Sequence, residues 1–301
     1  ISGDRGDCEQ QQGQRHGSTS VVGGCKLRLL SCRPQSSGLH YWCMKNPPSP
    51  PSCATFHWHS GENLRWLILC DHASNHIPPE FGNLGVNDFQ LQRHVAWDAG
   101  AADVARRLAH LFGAPWIEHA ISRLVIDGNR TWDDSDLIPD VSDDVDVPGN
   151  RGLTATERRS RWDRYHQPYH QRIAEHLDHL RALSIRPMVV SVHSFTPELG
   201  RIPGYRKWPV GVLWRTEEAI AQALIRELAR DGRDVGNNQP YSGLRMLGYT
   251  MERHAIDRGL PHVTIELRQD ELTSASGRER WARELHGALR RVAAQLLPGH
   301  L

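Results

Sequence analysis

The chain has 301 residues, 39% hydrophobic and 24% charged, which suits an ordinary globular protein of one large domain or two small ones. Its 36 basic and 35 acidic residues leave a net charge of +1, so there is no general electrostatic case for nucleic acid or another polyanion. No apolar run approaches the roughly 18 residues that a membrane span needs, and the N-terminus lacks the apolar stretch of a signal peptide, so a cytoplasmic protein without a membrane partner is expected.

The sequence opens on Ile1, and its first part differs from the rest. Five of the six cysteines (Cys8, Cys25, Cys32, Cys43 and Cys53) fall there, among many Gln, Ser, Gly and Pro residues. No Cys-x-x-Cys pair occurs and the spacings match no zinc module. The run Asn46–Pro51 reads as a stiff linker. Residues 1–58 are therefore expected to be a disordered or non-native extension, with one folded domain over 59–301. Nothing in the cysteine usage argues for an oxidising compartment, and Cys70 reads as a small buried residue.

From Glu62 onward, strands and helices alternate. Leu64–Cys70 is a short apolar run, so a buried strand. Asn87 caps a helix predicted to run to Phe112, closed by Gly113. Pro115–Glu118 and Ile121–Asp127 read as two more strands. The segment from Asp133 to Asp146 holds seven aspartates and Pro139, and is expected to be a loop. It lacks the glycine and closing glutamate of a calcium loop, so a mobile lid is the preferred role. Thr154–Glu157 fits a capping box opening a helix to Leu183, kinked at Pro168 within Tyr165–His170. Pro187–His193 is a buried strand, Pro209–Trp214 another, and a helix over Glu217–Ala229 follows. His262–Leu267 is the last strand, and a helix over Ser276–Leu297 ends the domain. This alternation predicts an α/β fold, a single domain with a mixed, mostly parallel sheet flanked by helices on both faces.

Ligands of such sheets sit beyond the carboxyl ends of the strands. Four polar groups arrive there: Asp71–His76, Arg123 with Asp127–Arg130, His193 with Ser194, and Glu266. A hydrolytic zinc wants about three protein ligands and a position left for water. His72 and His193 are credible nitrogen donors; Asp98 is the leading carboxylate for the third position, with Asn75 and His76 as rivals. Glu266 is placed to act as the base. Arg123 and Arg130 are of the type that binds an oxyanion or a carboxylate in a two-pronged geometry.

The segments Cys70–Pro78, Ala96–Ala101, Ser122–Arg130 and Val192–Phe195 together resemble the N-formylglutamate amidohydrolase family, in its predicted-amidohydrolase branch. Asn238–Gly243 and the strand carrying Glu266 extend the likeness, which covers roughly residues 60–296. That family is akin to zinc carboxypeptidases and aspartoacylase. The resemblance implies a hydrolase fold of the zinc-carboxypeptidase kind and one zinc ion held by His72 and His193; for the third ligand Asp98 stays the leading candidate on the reading of the residues, with Asn75 and His76 open. It implies Glu266 as general base and Arg123 at the scissile carbonyl. Asn129, Arg130, Ser194, Asn238 and Tyr241 would then bind substrate. Where the wider relatives carry a glutamate ligand three residues after the first histidine, this chain has Asn75. The implied reaction is hydrolysis of a small N-acyl amino acid, foremost N-formyl-L-glutamate to formate and L-glutamate. The alternatives are a carboxypeptidase-like or cell-wall amidase acting on peptides, and an inactive amino-acid-binding module. The oligomeric state is not readable.

Overall fold

A computed structural model of the chain describes residues 54–200 and 204–299, together with the backbone of 21–22. The cysteines before residue 54, and the expectation of disorder there, lie outside the described residues. The main sheet comprises β1 (Val21–Val22), β2 (Phe56–His59), β3 (Trp66–Cys70), β4 (Trp116–His119), β7 (Met188–Phe195), β8 (Val210–Leu213), β9 (Val235–Asn237) and β10 (His262–Arg268). A separate hairpin is formed by β5 (Val141–Ser142) and β6 (Val145–Asp146). The sheet order is β1-β2-β4-β3-β7-β10-β8-β9, with β4, β3, β7 and β10 mutually parallel at its centre. The edge pairs β1–β2 and β2–β4, and the β10–β8 pair, are antiparallel. The mixed, mostly parallel α/β architecture is as the alternation predicts. β2 starts ahead of the boundary drawn at residue 58 because its four half-buried residues pair with β4.

Side chains alternate across the strands. Trp66, Ile68, Val190, Val192, Val263 and Ile265 face the helices α2 (Ala101–Phe112), α5 (Glu218–Leu228) and α7 (Ala275–Leu296) in one large core. Leu67, Leu69 and Val189 face the opposite side, against α4 (Gln167–Ala182) and α6 (Tyr249–Met251). Cys70 is buried at the end of β3.

Three predicted elements differ. The helix expected over 87–112 is broken into α1 (Asp88–Leu91), whose Asn87 makes the capping box, and α2. Gly100, at φ +82, turns the chain between them, and this turn delivers Asp98 to the site. The apolar run Ile121–Asp127 forms a buried turn, not a strand. Its carbonyls are taken by side chains instead of a ladder: Asn150 Nδ2 donates to Leu124 O at 2.8 Å and Arg161 Nη1 to Val125 O at 3.0 Å. The helix from Thr154 is capped as expected, but Pro168 falls at the start of α4 after α3 (Ala155–Arg161) and a π-turn over Trp162–His166. The π-turn absorbs the irregularity that proline would otherwise force on the helix.

Candidate active site

β3, β7 and β10 end side by side, and the residues at or just past their ends carry the chemistry. Thr264 and Glu266 of β10 lie in register with Ser191 and His193 of β7. Both strands turn their apolar alternates to the α2/α7 core, so His193 and Glu266 stand on the other face. Asp71 and His72 follow β3 directly. Asp98 is tied to them through its own N–H, which donates to His72 O at 3.0 Å, and through its Oδ2, which accepts Ser194 N–H at 3.2 Å.

Asp98 Oδ2 lies 2.8 Å from His193 Nδ1 and 3.3 Å from His72 Nδ1. One donor atom from each of these three buried residues falls within 4.8 Å of the others. The far nitrogen of each imidazole is also held by a buried carboxylate. His72 Nε2–H donates to Asp127 Oδ1 at 2.8 Å and His193 Nε2–H to Asp71 Oδ2 at 3.0 Å. Carboxylates only accept, so both Nε2 atoms carry the proton and both Nδ1 atoms are turned toward Asp98. An Nδ1 lone pair 2.8 Å from a carboxylate oxygen needs a cation between them, a proton or a metal. Burial pulls His193 down, but its bonds to Asp71 and Asp98 outweigh that and hold it well above the ordinary histidine value. The donor set, the shared focus and the carboxylate behind each histidine all fit a zinc ion.

Asp71 is the most heavily bonded of these groups. It also accepts from Tyr169 Oη at 2.8 Å, Thr250 Oγ1 at 2.6 Å and Ser191 Oγ at 3.2 Å. Burial would raise its carboxyl, but His193 and these donors hold it down to about 2. Asp127 is held well below its usual value, since the Arg123 charge prevails over burial; Arg123 Nη2 reaches Asp127 Oδ2 at 2.6 Å.

The cluster opens on a cavity of about 310 Å³, a size suited to a small molecule. Glu266 lines it, is buried, and leaves its Oε2 without a hydrogen-bond partner among the described residues. Burial pushes Glu266 up to about 7, the range of a working base. Arg123 brings Nη1 within 3.5 Å of His72 Nδ1. Arg130 also lines the cavity; among the described residues its side chain makes only long contacts, to Asp134 at 3.5 Å and Asp127 at 3.9 Å. Leu213, Met246 and Leu247 give it an apolar wall.

Most of the residues singled out in the sequence meet here. His72, Asp98, Arg123, Asn129, Arg130, His193, Ser194, Tyr241 and Glu266 all border the one cavity. Asn238 does not: its Oδ1 accepts Trp214 N–H at 2.9 Å and Gly243 N–H at 3.2 Å, so it shapes the loop that carries Tyr241. Neither rival for the third position joins the cluster. Asn75 Nδ2 donates to Leu91 O at 2.9 Å, and His76 is exposed. The aspartate-rich segment holds the β5–β6 hairpin and borders a smaller cavity of about 150 Å³ that it shares with Arg123 and Arg130. The supporting carboxylates Asp71 and Asp127 stand in the polar groups named from the sequence but were given no role there; their one signal is adjacency to His72 and to Asn129–Arg130. No helix among the described residues is long and apolar enough to cross a membrane.

A family model described as N-formylglutamate amidohydrolase matches residues 64–273. Among solved structures, the gene product Atu2144 from Agrobacterium tumefaciens is 31% identical, with a TM-score of 0.77 over 80% of this chain and 96% of that one. N-formylglutamate amidohydrolase from Ralstonia eutropha JMP134 shares the fold at 22% identity and a TM-score of 0.63, over 82% of this chain and 99% of that one. No curated protein sequence matches the chain.

Proposed function

Because the chain belongs to the N-formylglutamate amidohydrolase family, we propose that it hydrolyses the amide bond of a small N-acyl amino acid, foremost N-formyl-L-glutamate, to a carboxylic acid and the free amino acid. His72, Asp98 and His193 would hold one zinc ion. The observation that carries the reading is the placement of Glu266: a buried carboxylate with an unpartnered oxygen, in register with His193 and lining the same small cavity as that donor set.

Bound zinc supplies a Lewis acid that makes water a competent nucleophile near neutral pH. Glu266 takes the proton of the attacking water and returns it to the departing nitrogen, so water adds across the C–N bond. The Arg123 guanidinium faces the charge that develops on the carbonyl oxygen. Asn129 and Arg130 hold the substrate carboxylate, where a guanidinium fork gives both charge and direction. Ser194 Oγ donates to Ala99 O at 3.0 Å and accepts Gln269 Nε2–H at 3.2 Å, which braces the wall beside His193. The direct test is release of formate and L-glutamate from N-formyl-L-glutamate by purified, zinc-loaded protein. Activity on N-acyl dipeptides in place of the single amino acid would move the reading to a peptide amidase.

A further inference from the structure

The segment Gly128-Asn129-Arg130 is held from below by groups that do not border the cavity. His170 Nε2 meets Gly128 O at 2.8 Å and His166 Nε2 meets Arg130 O at 3.1 Å. Carbonyls only accept, so both imidazoles carry their proton on Nε2. Between them, Asn129 O accepts Tyr249 N–H at 3.1 Å and Asn129 Oδ1 accepts Thr250 N–H at 3.0 Å. Gly248, at φ +99, lets the Asn129 amide approach, since a Cβ there would run into it. His170 Nδ1 in turn accepts Nε2–H of His254 at 3.0 Å.

This bed is rigid. The His166 ring stacks on Trp162 with centroids 3.7 Å apart, and lies 4.3 Å from the His170 ring. His170 and His254 stack within 9° of parallel. All three histidines are buried. His166 and His170, four residues apart, reach the loop from one face of the helical run that the π-turn interrupts, and His254 comes from a second π-turn over Glu252–Ile256. Among the described residues the Arg130 side chain has only the two long contacts to Asp127 and Asp134, so its direction depends on where its backbone is held.

We propose that His166 and His170 are positioning residues for the substrate carboxylate: by holding the carbonyls on either side of Asn129, they set the Asn129–Arg130 grip. The inference rests on the reading of Arg130 given above. It explains a pair of neutral, buried imidazoles that the hydrolytic chemistry does not use.

The test compares N-formyl-L-glutamate with its diamide, which offers no carboxylate. His166→Leu and His170→Leu should each raise KM for the acid about tenfold or more, the scale of a lost buried hydrogen bond, and leave kcat within about twofold. KM for the diamide should stay at its wild-type value. His166→Gln and His170→Gln, whose amide reaches as far as Nε2, should restore KM for the acid. If a leucine variant does not fold, the asparagine variant replaces it, being polar but too short to reach the carbonyl. Equal KM values for the Asn and Gln variants would then overturn the inference. It is also overturned if kcat falls alike for both substrates, or if Gln does not rescue, because either result marks plain packing. Should the wild type hydrolyse neither compound, the functional reading fails by itself. Calorimetric binding of L-glutamate then decides: weaker binding by the variants supports the positioning role, and no binding or unchanged binding removes it.

Discussion

Asp71 Oδ2 accepts the Nε2–H of His193 at 3.0 Å, and this bond decides which nitrogen His193 offers to the cavity. With Nε2 committed, Nδ1 faces Asp98. His72 is fixed in the same manner by Asp127. The centre is thus two imidazoles, each backed by its own carboxylate and both converging on a third. Such outer carboxylates orient the ring and raise its basicity.

Asp71→Asn should therefore leave His72, Asp98 and His193 in place but weaken zinc binding about 10- to 100-fold, the usual effect of losing such a partner. A competition titration against a chelator measures this. An unchanged affinity would show that Asp71 serves the fold alone, through Tyr169, Ser191 and Thr250.

Glu266→Gln keeps the shape of the side chain but cannot take a proton. Zinc should bind at wild-type stoichiometry while hydrolysis falls about 10²- to 10⁴-fold, as for a lost general base. Loss of the metal as well would make Glu266 a ligand and shift the search for the base to another group. His72→Ala and His193→Ala should lose both zinc and activity.

Arg130→Lys retains the charge but not the fork. A charge-assisted bond of this kind is worth about 1.5–3 kcal/mol, so KM for an acidic N-acyl amino acid should rise roughly ten- to a hundredfold. Equal kinetics in variant and wild type would take Arg130 out of the grip.

Burial holds His119 and His176 down to about 4, and His166 and His254 down to about 3. In the unfolded chain each protonates near pH 6.5. Between about pH 6.5 and the folded values the unfolded state binds more protons, so the stability from these neutral rings is full above that range and is lost as pH falls through it. The Tm should decline steadily from about pH 7 to 4.5. His176→Phe should flatten the decline; its ring lies 4.8 Å from that of Trp58 and outside the cavity lining. A Tm that does not move over this range would contradict the account.

Thr55 is buried and its carbonyl accepts Ala120 N–H at 3.0 Å, so the folded unit starts ahead of the boundary drawn from composition. Deleting residues 1–53 should leave Tm and hydrolysis close to those of the full chain. An insoluble or inactive product would show that the N-terminal stretch, which pairs Val21–Val22 with the β2 edge, is needed by the domain.

His72, His193 and Glu266 were readable from sequence because strand ends are where an α/β sheet places its chemistry. Periodicity located β3, β7 and β10, and those strands locate the residues. Asp98 was one candidate among three, since only the turn at Gly100 brings it across to β7. The supporting role of Asp71 and Asp127 was not recognised, because a carboxylate behind an imidazole is a tertiary relationship with no spacing of its own. The run Ile121–Asp127 has the composition of a strand, and nothing local shows that Asn150 and Arg161, far along the chain, take its carbonyls. Asn238 falls in a family-like segment but does not line the cavity of the site; its bonds to Trp214 and Gly243 shape the loop that carries Tyr241.

The most direct test of the account is to strip purified protein of metal, restore one equivalent of zinc, and follow formate release from N-formyl-L-glutamate before and after. The account predicts one zinc per chain, no formate from the stripped protein and full recovery on addition. Zinc bound at that stoichiometry with no release of formate or L-glutamate would contradict the proposed reaction, and full turnover without metal would contradict the role given to His72, Asp98 and His193.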